Sequence, residues 1–106
     1  MSFSVKLLSD LVIVEPGTTM PLGLEIENRE ETSDRFEIII EGLDDEWTAI
    51  PVPIVNLGSK ESQTIKVFFK PLRESDSTAG NYPFVIRVRS LVSGDDRTSQ
   101  GVLQVK

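Results

Sequence analysis

Apolar and polar residues alternate with a period of two in segment after segment of this chain, and the 3.6-residue period of an amphipathic helix is nearly absent. The alternating segments are FSVKLL and LVIVE (3–8 and 11–15), MPLGLEIEN (20–28), RFEIIIE (35–41), a short WTAIPVPI (47–54), QTIKVFFK (63–70), YPFVIRVRS (82–90) and RTSQGVLQV (97–105). Turn chemistry lies between them: EPGT at 15–18, NREETSD at 28–34, EGLDDE at 41–46, NLGSKE at 56–61, PLRESDSTAGN at 71–81 and SGDD at 93–96. If the first two segments are one strand that changes sheets, seven strands result. That pattern predicts an all-β fold, an immunoglobulin-like seven-stranded antiparallel β-sandwich, with a small barrel as its rival.

The charges on the polar parity test the pairing. In an immunoglobulin-like sandwich the second strand lies beside the fifth and the third beside the sixth. The second strand places Leu22, Leu24 and Ile26 inward and Glu25 and Glu27 outward, while the fifth places Ile65, Val67 and Phe69 inward and Lys66 and Lys70 outward. The third strand sends Phe36, Ile38 and Ile40 inward with Glu37 and Glu41 outward. Its partner sends Phe84, Ile86 and Val88 inward with Arg87 and Arg89 outward. Acid is expected to face base in both sheets, at roughly 0.2–1 kcal/mol per pair. Proline supplies no ladder donor, so PVP at 51–53 places the short strand after Trp47 at a sheet edge.

A chain of 106 residues suits a single domain over 1–106, the first or an excised domain of a larger protein. No apolar run is long enough to span a bilayer as a helix. Eleven Lys and Arg against seventeen Asp and Glu leave a net charge of -6, which repels a phosphate backbone and makes nucleic acid an unfavourable partner. With no cysteine there are no disulfides and no thiolate metal sites. The N-terminal run is too short and too interrupted, at Ser9 and Asp10, for a signal peptide, so a complete chain is expected to stay in the cytoplasm.

The order VEPGTT, a strand ending at Asn28, RFEIIIEGLDDEW, NLGSKESQTIKVFFKP and AGNYPFVIRVRS resembles the bacterial immunoglobulin-like family called alpha-galactosidase-associated, or NPCBM-associated. The likeness covers essentially the whole chain. Its elements are the proline-glycine turn, the glycine and tryptophan of GLDDEW, the leucine and glycine of NLGS and the tyrosine after Gly80. The chain departs from the pattern at Ser59 and Lys60, where a glutamate usually follows the glycine. The resemblance implies a non-catalytic accessory or spacer module and supplies no catalytic residue.

The residues point the same way. Without histidine or cysteine, Ser-His-Asp and Cys-His arrangements and the usual zinc ligands are impossible, and no cofactor motif is present. Enzymatic activity is therefore not expected. Glu30, Asp34, Asp95 and Asp96 lie in loops that belong to one end of the sandwich and are weak candidates for calcium, though they lack a D-x-D-x-D-G spacing. Trp47 is read as a core plug, with a carbohydrate-stacking surface as its alternative. Ile39 and Val85 interrupt outward polar faces between Glu37, Glu41, Arg87 and Arg89. They are either isolated exposed apolar positions or the centre of a protein or domain contact with a charged rim.

The single tyrosine, Tyr82, stands two residues before the inward Phe84, the position of a tyrosine corner: the ring packs and the hydroxyl bonds back to nearby backbone. Tyr82→Phe should lower unfolding free energy by about 1–3 kcal/mol through the buried partner left unpaired; an unchanged denaturation midpoint would contradict the corner.

Overall fold

A computed structural model describes residues 3–71 and 79–106. The strands are β1 (Phe3–Leu7), β2 (Leu11–Val14), β3 (Met20–Asn28), β4 (Asp34–Glu41), β5 (Thr48–Ala49), β6 (Ile54–Leu57), β7 (Ser62–Phe69), β8 (Gly80–Ser90) and β9 (Asp96–Val105), with one short 3-10 turn at Asp45–Trp47. They form two sheets, one in the order β1-β3-β7-β5 and the other in the order β2-β9-β8-β4-β6. The fold is an immunoglobulin-like β-sandwich, as the alternation predicts.

The opening segment does change sheets. β1 pairs antiparallel with β3, and β2, after the break at Ser9 and Asp10, pairs with β9 in the other sheet. This second pairing is parallel, so the sandwich is not wholly antiparallel. The count also differs from seven, because WTAIPVPI is not one strand. Pro51 and Pro53 interrupt it, leaving β5 at the edge of one sheet and β6 at the edge of the other. The edge placement follows from the missing proline N–H. Pro53 still contributes its carbonyl, which accepts from the Ile38 N–H at 2.8 Å and continues the ladder past the end of β6.

The inward residues interlock at both ends of the sandwich. Phe3 of one sheet meets Phe36 of the other with ring centroids 4.9 Å apart, and Phe69 meets Phe84 at the same distance. Between them Leu24, Ile26, Ile86, Val88 and Leu103 are fully buried. Gly101 lies directly opposite Phe84 on β9, and a Cβ there would come within 2.6 Å of the Phe84 ring. The absence of a side chain at 101 therefore makes room for the ring.

Asn28 is a buried polar group whose bonds are satisfied. Its side-chain amide donates to the carbonyls of Thr32 and Gly58, each at 3.0 Å, and its Oδ1 accepts from the Glu30 N–H at 3.0 Å. One side chain thus ties the loop after β3 to the turn between β6 and β7. Burial without those partners would cost a few kcal/mol, which explains a polar residue at an inward position.

The segment 71–81 expected as a long turn lies partly outside the described residues; Gly80 and Asn81 already belong to β8. Gly42 ends β4 with φ +96, and a Cβ there would sit 2.9 Å from the Pro83 carbonyl oxygen. Gly42→Ala combines an unfavourable backbone region with a backbone clash, and should lower unfolding free energy by about 1–3 kcal/mol in chemical denaturation with little change in m-value.

Candidate interaction face

The outer surface of the five-stranded sheet is built by parity. Burying Phe36 and Ile38 on β4, and Phe84, Ile86 and Val88 on β8, sends Glu37, Ile39 and Glu41 to the same outer face as Val85, Arg87 and Arg89. Register then fixes their neighbours. Glu37 stands opposite Arg89, Ile39 opposite Arg87, and Glu41 opposite Val85. On the far side of β8, Arg89 faces Asp96, Arg87 faces Thr98 and Val85 faces Gln100.

Arg87 is the centre of the charge arrangement. Its Nη2 and Nε donate to Glu41 Oε1 at 2.9 and 3.1 Å, while Nη1 donates to Asp96 Oδ2 at 3.1 Å. Arg89 Nε reaches the other oxygen of Asp96 at 3.0 Å. One guanidinium therefore bridges β4 to β9 across β8, and one carboxylate is shared by two arginines. The hydrogen bond from Arg89 holds the Asp96 carboxyl below the usual aspartate range against a smaller opposing desolvation, with the bond from Arg87 adding to it. The Glu41 bond raises Arg87 further above its already high value.

Ile39 and Val85 are half-buried among these groups. They are diagonal neighbours rather than a facing pair, because Ile39 is in register with Arg87. The apolar band continues beyond them. Pro83 is in register with Val102, which is in register with Leu11 on β2, and Ile54 on β6 stands opposite Glu37. Leu11 and Ile54 are exposed. Pro83, Val102, Leu11 and Ile54 were not singled out by sequence reasoning, since only strand order reveals that they share a face. Their outward parity was the available signal.

The expected charge match in the other sheet takes a different form. β3 and β7 do pair, but Lys66 faces Gly23, while Glu25 faces Thr64 on one side and Lys6 of β1 on the other. The register that buries Leu22, Leu24 and Ile26 against Ile65 and Val67 leaves the outward charges out of step. Glu27 finds its base locally, in Arg29, at 2.8 Å.

The weak calcium candidates do not converge. Among the described residues no group of three or more acids is placed to hold a metal. Asp34 accepts from the Ser90 hydroxyl and from the Arg35 N–H, and Asp96 is committed to Arg87 and Arg89. Asp95 and Glu30 remain in their respective loops, where the Asp95 carbonyl accepts from the Ser90 N–H and the Glu30 carbonyl from the Ser59 hydroxyl. Trp47 is 7% exposed, and Tyr82, half-buried, meets it edge-on at 5.0 Å.

The sandwich resembles solved structures of several kinds. It aligns with part of a family 123 glycoside hydrolase from Clostridium perfringens (TM-score 0.79, 8% identity), covering 99% of this chain and 27% of that one. It also aligns with a FixG-related protein from Vibrio parahaemolyticus (TM-score 0.74, 9% identity), covering 99% and 95%. A third match is to the Salmonella enterica SafA pilin in complex with the SafB chaperone (TM-score 0.63, 14% identity), covering 100% of this chain and 55% of that one. These likenesses establish the fold. No family model matches the sequence, and no curated protein sequence matches it.

Because the folded-state pKa of Asp96 is depressed, its ion pairs contribute stability above the unfolded aspartate pKa and lose it as pH falls through the folded value. Asp96→Asn should flatten the acid limb of the stability curve below about pH 4, and carboxyl NMR should show Asp96 titrating below the ordinary aspartate range; an acid limb identical to wild type would remove the network from the stability account.

Proposed function

We propose that this domain is a non-catalytic interaction or spacer module of a larger bacterial protein, meeting a partner protein or neighbouring domain through the outer face of its five-stranded sheet. The observation that carries the reading is the placement of Ile39 and Val85 within the ion pairs of Arg87 and Arg89. Protein contacts combine apolar area with a polar rim that fixes orientation. The face offers both on rigid strands, so little ordering cost accompanies contact.

Several observations support a modular role. The chain aligns with about a quarter of a hydrolase chain, and with a structure in which a chaperone holds a pilin. The turn and core pattern resembles the alpha-galactosidase-associated immunoglobulin-like family. A sequence without histidine or cysteine also offers few catalytic groups. The alternative, a carbohydrate-binding accessory module, draws on the hydrolase likeness but needs an aromatic platform; Trp47 is buried and Tyr82 packs against it.

The test is the double substitution Ile39→Lys with Val85→Lys. It should abolish self-association or partner recovery, measured by light scattering and affinity co-purification, while the thermal midpoint moves by only a few degrees. Association that survives the double substitution would exclude this face.

A further inference from the structure

At one end of the same face lies a groove of about 580 Å³. Its floor is formed by Pro83, Val85 and Val102 with Gln100 beside them, and its two ends carry Asp10 and Glu41. Asp10 precedes β2 and Glu41 ends β4, so three strand spacings, roughly 14 Å, separate the acidic ends. Both ends are fixed. The Asp10 carbonyl accepts from the Val102 N–H at 2.8 Å, which pins the loop against β9, and Glu41 is held by Arg87.

The charge available inside the groove is negative. All of Arg87's bonds to Glu41 use Oε1, and its remaining N–H partner is Asp96. Among the described residues, no base lies within ion-pair distance of the Asp10 carboxylate. The groove therefore joins an apolar floor to carboxylate oxygens with unused acceptor capacity, on a chain of net charge -6. An acidic segment would meet repulsion at both ends. A wholly apolar one would leave the carboxylates desolvated without a partner.

Resting on the interaction-face reading above, we propose that this groove takes a peptide segment in which an aliphatic side chain neighbours a lysine or arginine. The aliphatic group lies on Val85, Pro83 and Val102, and the cation reaches the Asp10 carboxylate, while Glu41 at the other end stays with Arg87. The cation needs no proton transfer and no rearrangement of the Arg87 network. Specificity is for the pairing of the two groups, since neither floor nor ends alone offer both interactions.

The experiment titrates the full, isotope-labelled chain with three blocked dipeptides, acetyl-Leu-Lys-amide, acetyl-Leu-Glu-amide and acetyl-Gly-Lys-amide, following backbone amide shifts. Saturable shifts at Gly42, Val85, Gln100 and Val102 are expected with Leu-Lys, with weaker response to Gly-Lys and none to Leu-Glu. Asp10→Asn, in an exposed loop, should weaken Leu-Lys binding about two- to fivefold, and raised salt should weaken wild-type binding in the same direction. An equal response to Leu-Glu, no saturable shift with Leu-Lys, shifts confined to another surface, or no effect of Asp10→Asn would each overturn the proposal. If Leu-Lys fails while association remains sensitive to Ile39→Lys with Val85→Lys, only the basic-segment inference falls; if that sensitivity is also absent, the interaction-face reading falls with it.

Discussion

The pairing of β4 with β8 is the constraint on which the candidate face depends. Phe36, Ile38, Ile86 and Val88 are buried by one parity of the two strands, and the opposite parity must then carry Glu37, Ile39, Glu41, Val85, Arg87 and Arg89 outward. A slip of one residue would put arginine into the core and expose the apolar set, so burial specifies the register far more strongly than the surface charges can. The ion pairs are a consequence. Once register is set, the long Arg87 side chain reaches diagonally to Glu41 and across to Asp96, joining three strands that the core has already aligned.

The same division between core and rim governs the edges. The hydroxyl of Ser9 accepts from the Leu11 N–H at 3.3 Å and donates to the Leu11 carbonyl at 2.8 Å, occupying both peptide groups at the outer edge of β2. Pro51 and Pro53 shorten β5 and flank β6 on the other side. These devices make strand addition costly at those positions. They leave the outer face, rather than these edges, as the surface on which side chains are displayed in fixed geometry.

Much of this was legible in the chain. Period-two alternation identified the strands, the Ser9–Asp10 break marked the sheet change, and acid and base on the third and sixth segments anticipated the Glu37–Arg89 neighbours. Other parts were not legible for specific reasons. Asp96 looked like a loop acid beside Asp95, but it is the first residue of β9 and belongs to the arginine network. The distinction depends on where the hairpin closes, which the sequence SGDDR leaves open by a residue. Lys66 looked like a partner for glutamate, yet it faces Gly23, because composition on neighbouring strands does not fix their stagger.

By itself the sequence determined the parity of each strand, and with it the membership of the core and of the outer surface, because side chains alternate and only one set can be removed from water. It also determined the chemistry on offer: carboxylates, guanidinium groups and aliphatic side chains, without imidazole or thiol. Only the tertiary structure decided which outward residues are neighbours. Strand order brought Leu11, Val102, Pro83 and Val85 from three distant segments to one surface, and stagger set Asp10 and Glu41 at opposite ends of one groove. Those relations are long-range, arising from how whole strands pack, and local alternation carries no record of them.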